Sequence, residues 1–171
     1  LLGPLRHRFT ALERAKEQGI GHYFVPRYTR VVDTAESKDN INKAYNLIST
    51  SKVRNEMIID DVITCVARKQ TPVILTRFKE HAKFLHDALK EKADHVFLLY
   101  GDNSDKENAE IRVKLKQIPE NESLILVATG QKIGEGFDFP RLDVLMLAAP
   151  VSFEGRLEQY VGRLNRDYVG K

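Results

Sequence analysis

The second half of the chain alternates short apolar runs with amphipathic stretches. The apolar runs show no polar alternation and lie at residues 72–76, 95–100, 123–128 and 143–148. Runs of this kind are typical of strands that are buried on both faces. Because amphipathic stretches separate them, the pattern predicts an α/β fold in which a parallel sheet carries helices on both faces.

Three helices are predicted between and after these strands. Apolar residues recur at helical spacing in the first two. These residues are Ala82, Leu85 and Leu89 in the first helix and Ile111, Leu115 and Ile118 in the second. Ser104 and Glu107 have the spacing of a capping box, which predicts the start of the second helix. The third helix is predicted from Phe153 to Leu164.

Residues 1–70 have a different pattern. A short helix is predicted near the start, and the aromatic and β-branched residues of 22–33 predict a strand or a strand pair. Two further helices follow, the second along residues 58–66. We therefore predict an appendage of helices and one short extended segment at 1–70, followed by an α/β domain at 71–171.

The composition is that of a soluble globular protein. Among the 171 residues, 42% are hydrophobic and 30% are charged, and the formal net charge is +3. A charge this small permits contact with phosphates without requiring it. The single Cys65 excludes an internal disulfide framework, which favours a reducing, cytoplasmic location. The chain begins at Leu1 rather than at methionine, so we interpret it as a piece of a longer polypeptide.

A set of mostly polar residues follows the predicted strands. In open α/β sheets this position, the carboxyl end of the strands, is where ligands bind. The residues are Thr76, Arg77 and Phe78 after the first strand, Gly101 after the second, and Thr129, Gly130 and Lys132 after the third. Hydroxyl groups, cations and glycine amides are suited to phosphate. Strand ends also need turn residues in any protein, so each position taken singly is equally well explained by turn formation.

The loop after the third strand contains Gly134-Glu135-Gly136, followed by Asp138. Two glycines at this spacing are part of a dinucleotide-binding fingerprint, but Phe139 stands where that fingerprint needs its third glycine. A Rossmann-type nucleotide-binding enzyme is therefore disfavoured. The loop predicts instead a close approach of the backbone to a ligand, with Asp138 as an acceptor.

The sequence contains no self-contained catalytic or metal centre. The phosphate-binding pattern G-x-x-x-x-G-K-[ST] is absent, and the five histidines do not have the spacing of metal ligands. The predicted last helix carries Gln159, Arg163 and Arg166, and the two arginines share one helix face because they are three residues apart. Paired arginines of this kind either form solvated surface ion pairs or neutralise phosphate across a cleft.

Together these segments resemble the second RecA-like domain of superfamily 2 helicases. Residues 73–79 resemble motif IV, residues 128–138 resemble motif V, and the Q-x-x-G-R-x-x-R pattern at residues 159–166 resembles motif VI. The resemblance covers residues 71–171. Gln159 replaces the histidine of DEAD-box proteins, which favours the XPB-type, restriction-translocase and viral DExH branches of this DEAD/DEAH-like group.

The resemblance implies an ATP-dependent helicase or translocase. Arg163 and Arg166 match catalytic arginines that reach the γ-phosphate of ATP bound by a preceding domain. Gly136, Asp138 and Gln159 match positions that contact the nucleotide. ATP and Mg²⁺ are therefore the expected cofactors, with the Mg²⁺ ligands on an N-terminal RecA-like domain of the same protein. The present chain alone is expected to be inactive.

The resemblance also implies DNA or RNA as a partner, held through its phosphate backbone, and no membrane. The matching nucleic-acid-binding positions are Thr76, Arg77, Phe78, Gly101, Thr129, Gly130 and Lys132. Residues 1–70 are then expected to connect the two RecA-like domains. One alternative stays open, in which the same fold serves as a non-catalytic nucleic-acid-binding or scaffolding module.

Overall fold

The computed structural model describes residues 23–29, 31, 40–101, 103–129 and 139–150. Within these ranges the chain forms four helices and four strands. They are α1 (Ile41–Thr50), α2 (Lys52–Ala67), β1 (Pro72–Thr76), α3 (Lys79–Leu89), β2 (His95–Leu99), α4 (Asp105–Gln117), β3 (Leu124–Thr129) and β4 (Val144–Leu147). The helices predicted near the start of the chain and from Phe153 lie outside the described residues.

The four strands form one parallel sheet in the order β2-β3-β1-β4. The central strands β1 and β3 are buried along their whole length, which explains why their sequences show no polar alternation. The predicted parallel sheet is confirmed.

Helices cover both faces of the sheet, as the sequence predicts. The chain crosses from β1 to β2 through α3 and returns from β2 to β3 through α4, in the opposite direction along the sheet. Right-handed crossovers that run in opposite directions place their helices on opposite faces. Accordingly, Leu85 and Leu89 of α3 pack with Ile74 on one face, while Leu115 of α4 packs with Leu75 on the other.

Helix α2 shares a core with the strands that follow it. Val62 is fully buried in the same cluster as Leu85 of α3 and Ile125 of β3. Arg54 donates a hydrogen bond from Nη1 to the main-chain oxygen of Ala148, at the carboxyl end of β4, over 2.7 Å. Helix α2 therefore packs against the sheet, and the division of the chain at residue 71 stays a prediction from the sequence pattern.

The strand predicted over residues 22–33 is wrong for the described part of that segment. Residues 23–29 belong to no strand, and Tyr23 and Tyr28 are 93% and 88% exposed. An ion pair of 2.8 Å joins Arg27 to Asp61 of α2. Aromatic and β-branched residues favour strands only where neighbouring strands pack against them, and in the described part of the chain this segment pairs with none.

Phe139 and Leu142, which precede β4, are both buried under the same face as α4. Between them, the Arg141 guanidinium donates to main-chain oxygens of the connection between α4 and β3, including that of Pro119 at 3.0 Å and that of Glu122. These bonds fix the approach to β4. Because all four strands are parallel, their carboxyl ends lie along one edge of the sheet.

Candidate nucleic-acid interface at the carboxyl edge of the sheet

Two of the predicted site residues are neighbours across the centre of the sheet. Thr76 and Thr129 end β1 and β3 and are paired in the parallel register. Both side chains are almost fully buried, at 4% and 6% exposure. The sheet thus brings together, at its carboxyl edge, two threonines that lie far apart in the sequence.

The Thr76 hydroxyl belongs to a buried chain of hydrogen bonds. Asn55 donates from Nδ2 to the main-chain oxygen of Ser49 over 2.9 Å, so its Oδ1 is the acceptor for His81 Nε2, also at 2.9 Å. His81 Nδ1 is then the acceptor for the Thr76 hydroxyl at 2.8 Å. The hydroxyl proton is directed into the protein, which leaves the oxygen of Thr76 as an acceptor only. In this arrangement the Thr76 side chain does not donate a hydrogen bond to a phosphate, unlike the role predicted for it.

The charge state of His81 agrees with this chain of hydrogen bonds. Burial, followed by the nearby positive charge of Arg54, lowers the pKa of His81 to about 4. The imidazole is therefore neutral at neutral pH, with one donor and one acceptor nitrogen. Burial also lowers the pKa of Arg54, whose hydrogen bond to Ala148 ties α2 to the end of β4.

Arg77 and Phe78 project from the end of β1 against an aromatic ring of α1. The Arg77 guanidinium carbon lies 4.7 Å from the centroid of the Tyr45 ring, and the Phe78 ring meets Tyr45 edge-on at a centroid distance of 6.4 Å. Tyr45 is buried, whereas Arg77 is exposed. Helix α1 therefore supports the loop that contains two predicted site residues.

Two lysines of α3 extend over the end of β2. A Cβ placed on Gly101 would lie 3.3 Å from Lys79 Cε, and Lys83 Nζ lies 5.5 Å from the centroid of the Tyr100 ring. Asn103 holds the same turn by donating to the main-chain oxygen of Leu98 over 3.0 Å. Gly101, a predicted site residue, is thus close to cations.

Lys79 and Lys83 lie at this edge but are not among the site residues predicted from the sequence. Both lie in the first turns of a helix that begins directly after β1, four residues apart. Residues at this spacing share a helix face, and helix starts after parallel strands lie at the ligand-binding edge. This spacing was a usable signal for both lysines.

The described edge has the chemistry of a phosphate-binding surface. Arg77, Lys79 and Lys83 supply cations that donate hydrogen bonds, and Lys83 is paired with Glu80 at 3.1 Å. The N-cap residue of α3 is Phe78, whose side chain makes no capping hydrogen bond and therefore satisfies none of the first amides of the helix. The site residues predicted at Gly130, Lys132, Gly136, Asp138, Gln159, Arg163 and Arg166 lie outside the described residues.

The described residues contain no group of three or more His, Cys, Asp or Glu side chains that could hold a metal ion. Burial raises the pKa of the Cys65 thiol, with further contributions from Asp143 and Asp61, so the thiolate is disfavoured at neutral pH. In the part of the chain that the structure describes, no helix has the length and apolar character needed to cross a membrane.

Several poxvirus proteins are similar to the chain in sequence. The transcript termination protein A18 of Yaba-like disease virus is 28% identical over 94% of this chain and 35% of its own length. The transcript termination protein OPG145 of vaccinia virus (strain Copenhagen) is 26% identical over 71% of this chain and 24% of its own length. The chain thus spans about a third or less of these relatives.

Solved structures show the same fold. T4 UvsW superposes with a TM-score of 0.60 over 71% of this chain and 24% of its own, at 22% identity. The Sulfolobus solfataricus SWI2/SNF2 ATPase core in complex with dsDNA gives 0.51 over 68% of this chain and 28% of its own, at 15% identity. The Hef helicase domain of Pyrococcus furiosus gives 0.50 over 75% and 28%, at 23% identity. These likenesses confirm the RecA-like arrangement of a parallel sheet between helices.

A family model also matches most of the chain. It is described as the helicase conserved C-terminal domain, and it matches residues 49–167, which include α2 as well as the whole sheet. This match confirms the resemblance to the C-terminal RecA-like domain of superfamily 2 helicases, without specifying the branch. The chain belongs to the helicase conserved C-terminal domain family.

Proposed function

We propose that this chain is the C-terminal motor domain of an ATP-dependent helicase or translocase. In this proposal the carboxyl edge of the sheet holds the phosphate backbone of a nucleic acid. The observation that carries it is the convergence of Arg77, Lys79 and Lys83 with the paired strand ends Thr76 and Thr129, in a domain of the helicase C-terminal family. Cations and strand ends along one edge form a track for a regularly charged polymer.

The nucleic acid is proposed to bind at the carboxyl ends of the strands. Arg77 and Lys79 supply charge, and Gly101, beside Lys79, permits a close approach of the backbone. The proposed contact positions are Arg77, Phe78, Gly101, Thr129, Gly130 and Lys132, while Thr76, whose hydroxyl donates to His81, is proposed to order the strand end beside them. Contacts of this type are salt-dependent and show little sequence preference, as expected for a motor that moves along a strand.

The ATP half of the proposal rests on the helicase resemblance. Arg163 and Arg166 are proposed to reach the γ-phosphate, and Gly136, Asp138 and Gln159 to contact the nucleotide. β4 ends at the edge that carries the nucleic-acid positions, and Arg54 holds Ala148 there, so the chain leaves the sheet toward residues 151–171 from this edge. Hydrolysis of bound ATP would supply the free energy for movement along the nucleic acid. The Mg²⁺ ligands are proposed to lie on a preceding RecA-like domain.

The relatives guide the choice of substrate to test. The two poxvirus relatives are transcript termination proteins, and one structural neighbour was solved in complex with dsDNA. We therefore propose nucleic acid engaged in transcription as the first track to examine. Because this chain covers only 24–35% of the two relatives described above, the experiment requires the full-length protein.

The test is steady-state ATP hydrolysis by the full-length protein, with single-stranded DNA, RNA or duplex DNA added. We expect one of these to stimulate hydrolysis, and Arg163→Ala to lower the stimulated rate by about 10³-fold or more, the range measured for arginine fingers. Arg68→Ala is the matched control, because it removes one positive charge at the other end of the strands, next to the start of β1.

The outcomes separate the two classes of function. Stimulated hydrolysis that collapses in Arg163→Ala and survives in Arg68→Ala supports the motor. Nucleic-acid binding without any hydrolysis supports the non-catalytic binding module instead. Hydrolysis that does not respond to nucleic acid or to Arg163 contradicts the proposed role of the carboxyl edge and of the arginine.

A further inference from the structure

Helices α1 and α2 contact the end of β1 at two separate points. At the first, Tyr45 of α1 lies beneath the Arg77 guanidinium and beside the Phe78 ring. At the second, Asn55 of α2 holds His81, which accepts the hydrogen bond of Thr76. Neither α1 nor α2 belongs to the sheet, yet both fix the loop at which nucleic acid is proposed to bind.

We infer that Tyr45 is a positioning residue, which holds the Arg77 guanidinium in place for a nucleic-acid phosphate. The inference rests on the proposed function of the carboxyl edge. It adds a residue of α1 to that interface, although Tyr45 itself is 8% exposed and is not proposed to contact the nucleic acid.

The geometry suits this role because the two interactions of arginine use different parts of the group. The Arg77 guanidinium carbon lies 4.7 Å from the ring centroid, so the contact with Tyr45 occupies one side of the group. The N–H donors that point away from the ring remain available to phosphate oxygens. An exposed arginine without such support loses rotamer freedom when it binds, and that loss weakens the interaction.

Tyr45 is itself held firmly. Its ring contacts Phe78 edge-on, and α1 is capped at its start by Asn40, whose Oδ1 accepts from the amide of Asn42 at 3.0 Å. At the other end of α1, Asn55 donates to the main-chain oxygen of Ser49. A buried ring on a helix fixed at both ends is a rigid support for a mobile cation.

The test is a double-mutant cycle on the affinity of the full-length protein for fluorescein-labelled oligo(dT), oligo(U) and a DNA duplex, measured by anisotropy. Arg77→Ala is expected to weaken binding about tenfold, as for a lost charge-assisted hydrogen bond. Tyr45→Leu is expected to weaken binding about threefold in the wild-type background. In the Arg77→Ala background, the same substitution is expected to have no further effect on binding. Tyr45→Phe, which keeps the ring face, is expected to bind like the wild type.

Controls separate positioning from a general loss of structure. Melting temperatures are recorded for every variant, and Tyr45→Met replaces Tyr45→Leu if the leucine variant is unfolded at the assay temperature. Arg68→Ala is expected to leave the affinity unchanged within twofold.

Equal losses from Tyr45→Leu with and without Arg77 overturn the inference, because they show a structural effect that does not act through Arg77. An affinity that responds to Arg77→Ala but not to Tyr45→Leu also overturns it and leaves the proposed function standing. A wild-type protein that binds none of the three probes overturns both.

Discussion

At the residue scale, the edge of the sheet contains a histidine that cannot easily become charged. His81 is buried, accepts a hydrogen bond from Thr76 and donates one to Asn55. A second proton on His81 would place a donor against the Thr76 hydroxyl proton and a charge close to Arg54. Protonation is therefore coupled to disruption of the network that orders the end of β1.

We predict that His81 makes the stability of the domain depend on pH. Its pKa is about 4 in the folded chain, against an ordinary value of 6.5, so the unfolded chain binds more protons between these values. Stability should be full above about pH 7 and fall as the pH drops through this window, with a loss of about 2 kcal/mol at about pH 5. Urea denaturation of the chain at a series of pH values measures this loss.

Carboxylates also titrate in acid and contribute to the pH dependence of stability. The contribution of His81 is therefore measured as the difference in pH dependence between the wild type and a variant without this histidine. His81→Gln is expected to remove most of the pH dependence between about pH 5 and pH 7. His86→Gln is the matched control, since His86 lies on the same helix, where it pairs with Asp87 at the surface. A His81→Gln variant that keeps the wild-type slope would show that another group is responsible.

At the element scale, helix α2 is followed by a lysine in a conformation that suits glycine. Lys69 has φ of 61°, and its amide bonds to the main-chain oxygen of Val66 at 2.9 Å while that of Gln70 bonds to Cys65 at 3.0 Å. These bonds close the helix in the left-handed turn typical of a C-terminal glycine. A side chain at positive φ costs about 1 kcal/mol.

We predict that Lys69→Gly raises the free energy of unfolding by about 1 kcal/mol, because glycine adopts this φ without steric strain. Lys69→Ala removes the same charge and most of the side chain but retains the Cβ, so it should give little or no gain. Urea denaturation of both variants beside the wild type decides the point, and equal stabilities for glycine and alanine would refute the strain argument.

Local sequence patterns predicted most of the described helices and strands. The capping box at Ser104 and Glu107 was predicted from its spacing and is present, because the signal is complete within one helix turn. The four apolar runs were predicted as strands for a similar local reason. The segment containing Tyr23 and Tyr28 was not predicted correctly, since its aromatic composition carries no information about whether a neighbouring strand exists.

The site was predictable only in part. Thr76, Arg77, Phe78, Gly101 and Thr129 follow from the rule that parallel strands bind ligands at their carboxyl ends, and the structure brings them to one edge. Their support was not predictable from the sequence pattern. The contacts of Tyr45 with Arg77 and of Asn55 with His81 depend on how α1 and α2 cross the sheet, which no short-range pattern encodes.

At the scale of the whole molecule, the strand order β2-β3-β1-β4 distributes the cations along the sheet edge. Arg77 lies at the end of β1, while Lys79 and Lys83 reach from the start of α3 to the end of β2. Because α3 crosses β3 between these strands, the edge carries a stripe of three cations near the ends of β1 and β2, in which Lys83 is paired with Glu80, although the net charge of the chain is only +3. The position of the charges is therefore more informative than their sum.

A stripe of this kind has a measurable signature in salt. Each phosphate neutralised by a cation releases a counterion, so the slope of log K against log salt is about −0.7 per contact on a single strand and about −0.9 on a duplex. We predict that Arg77→Ala and Lys79→Ala each make this slope shallower in the full-length protein, by about the value for one phosphate contact. Arg68→Ala is expected to leave the slope unchanged. Titrations of labelled oligonucleotides at several salt concentrations measure the slopes. Weaker binding with unchanged slopes would mean that the two cations act on the fold of the edge rather than on the phosphates, and the proposed track would then have to lie elsewhere on the domain.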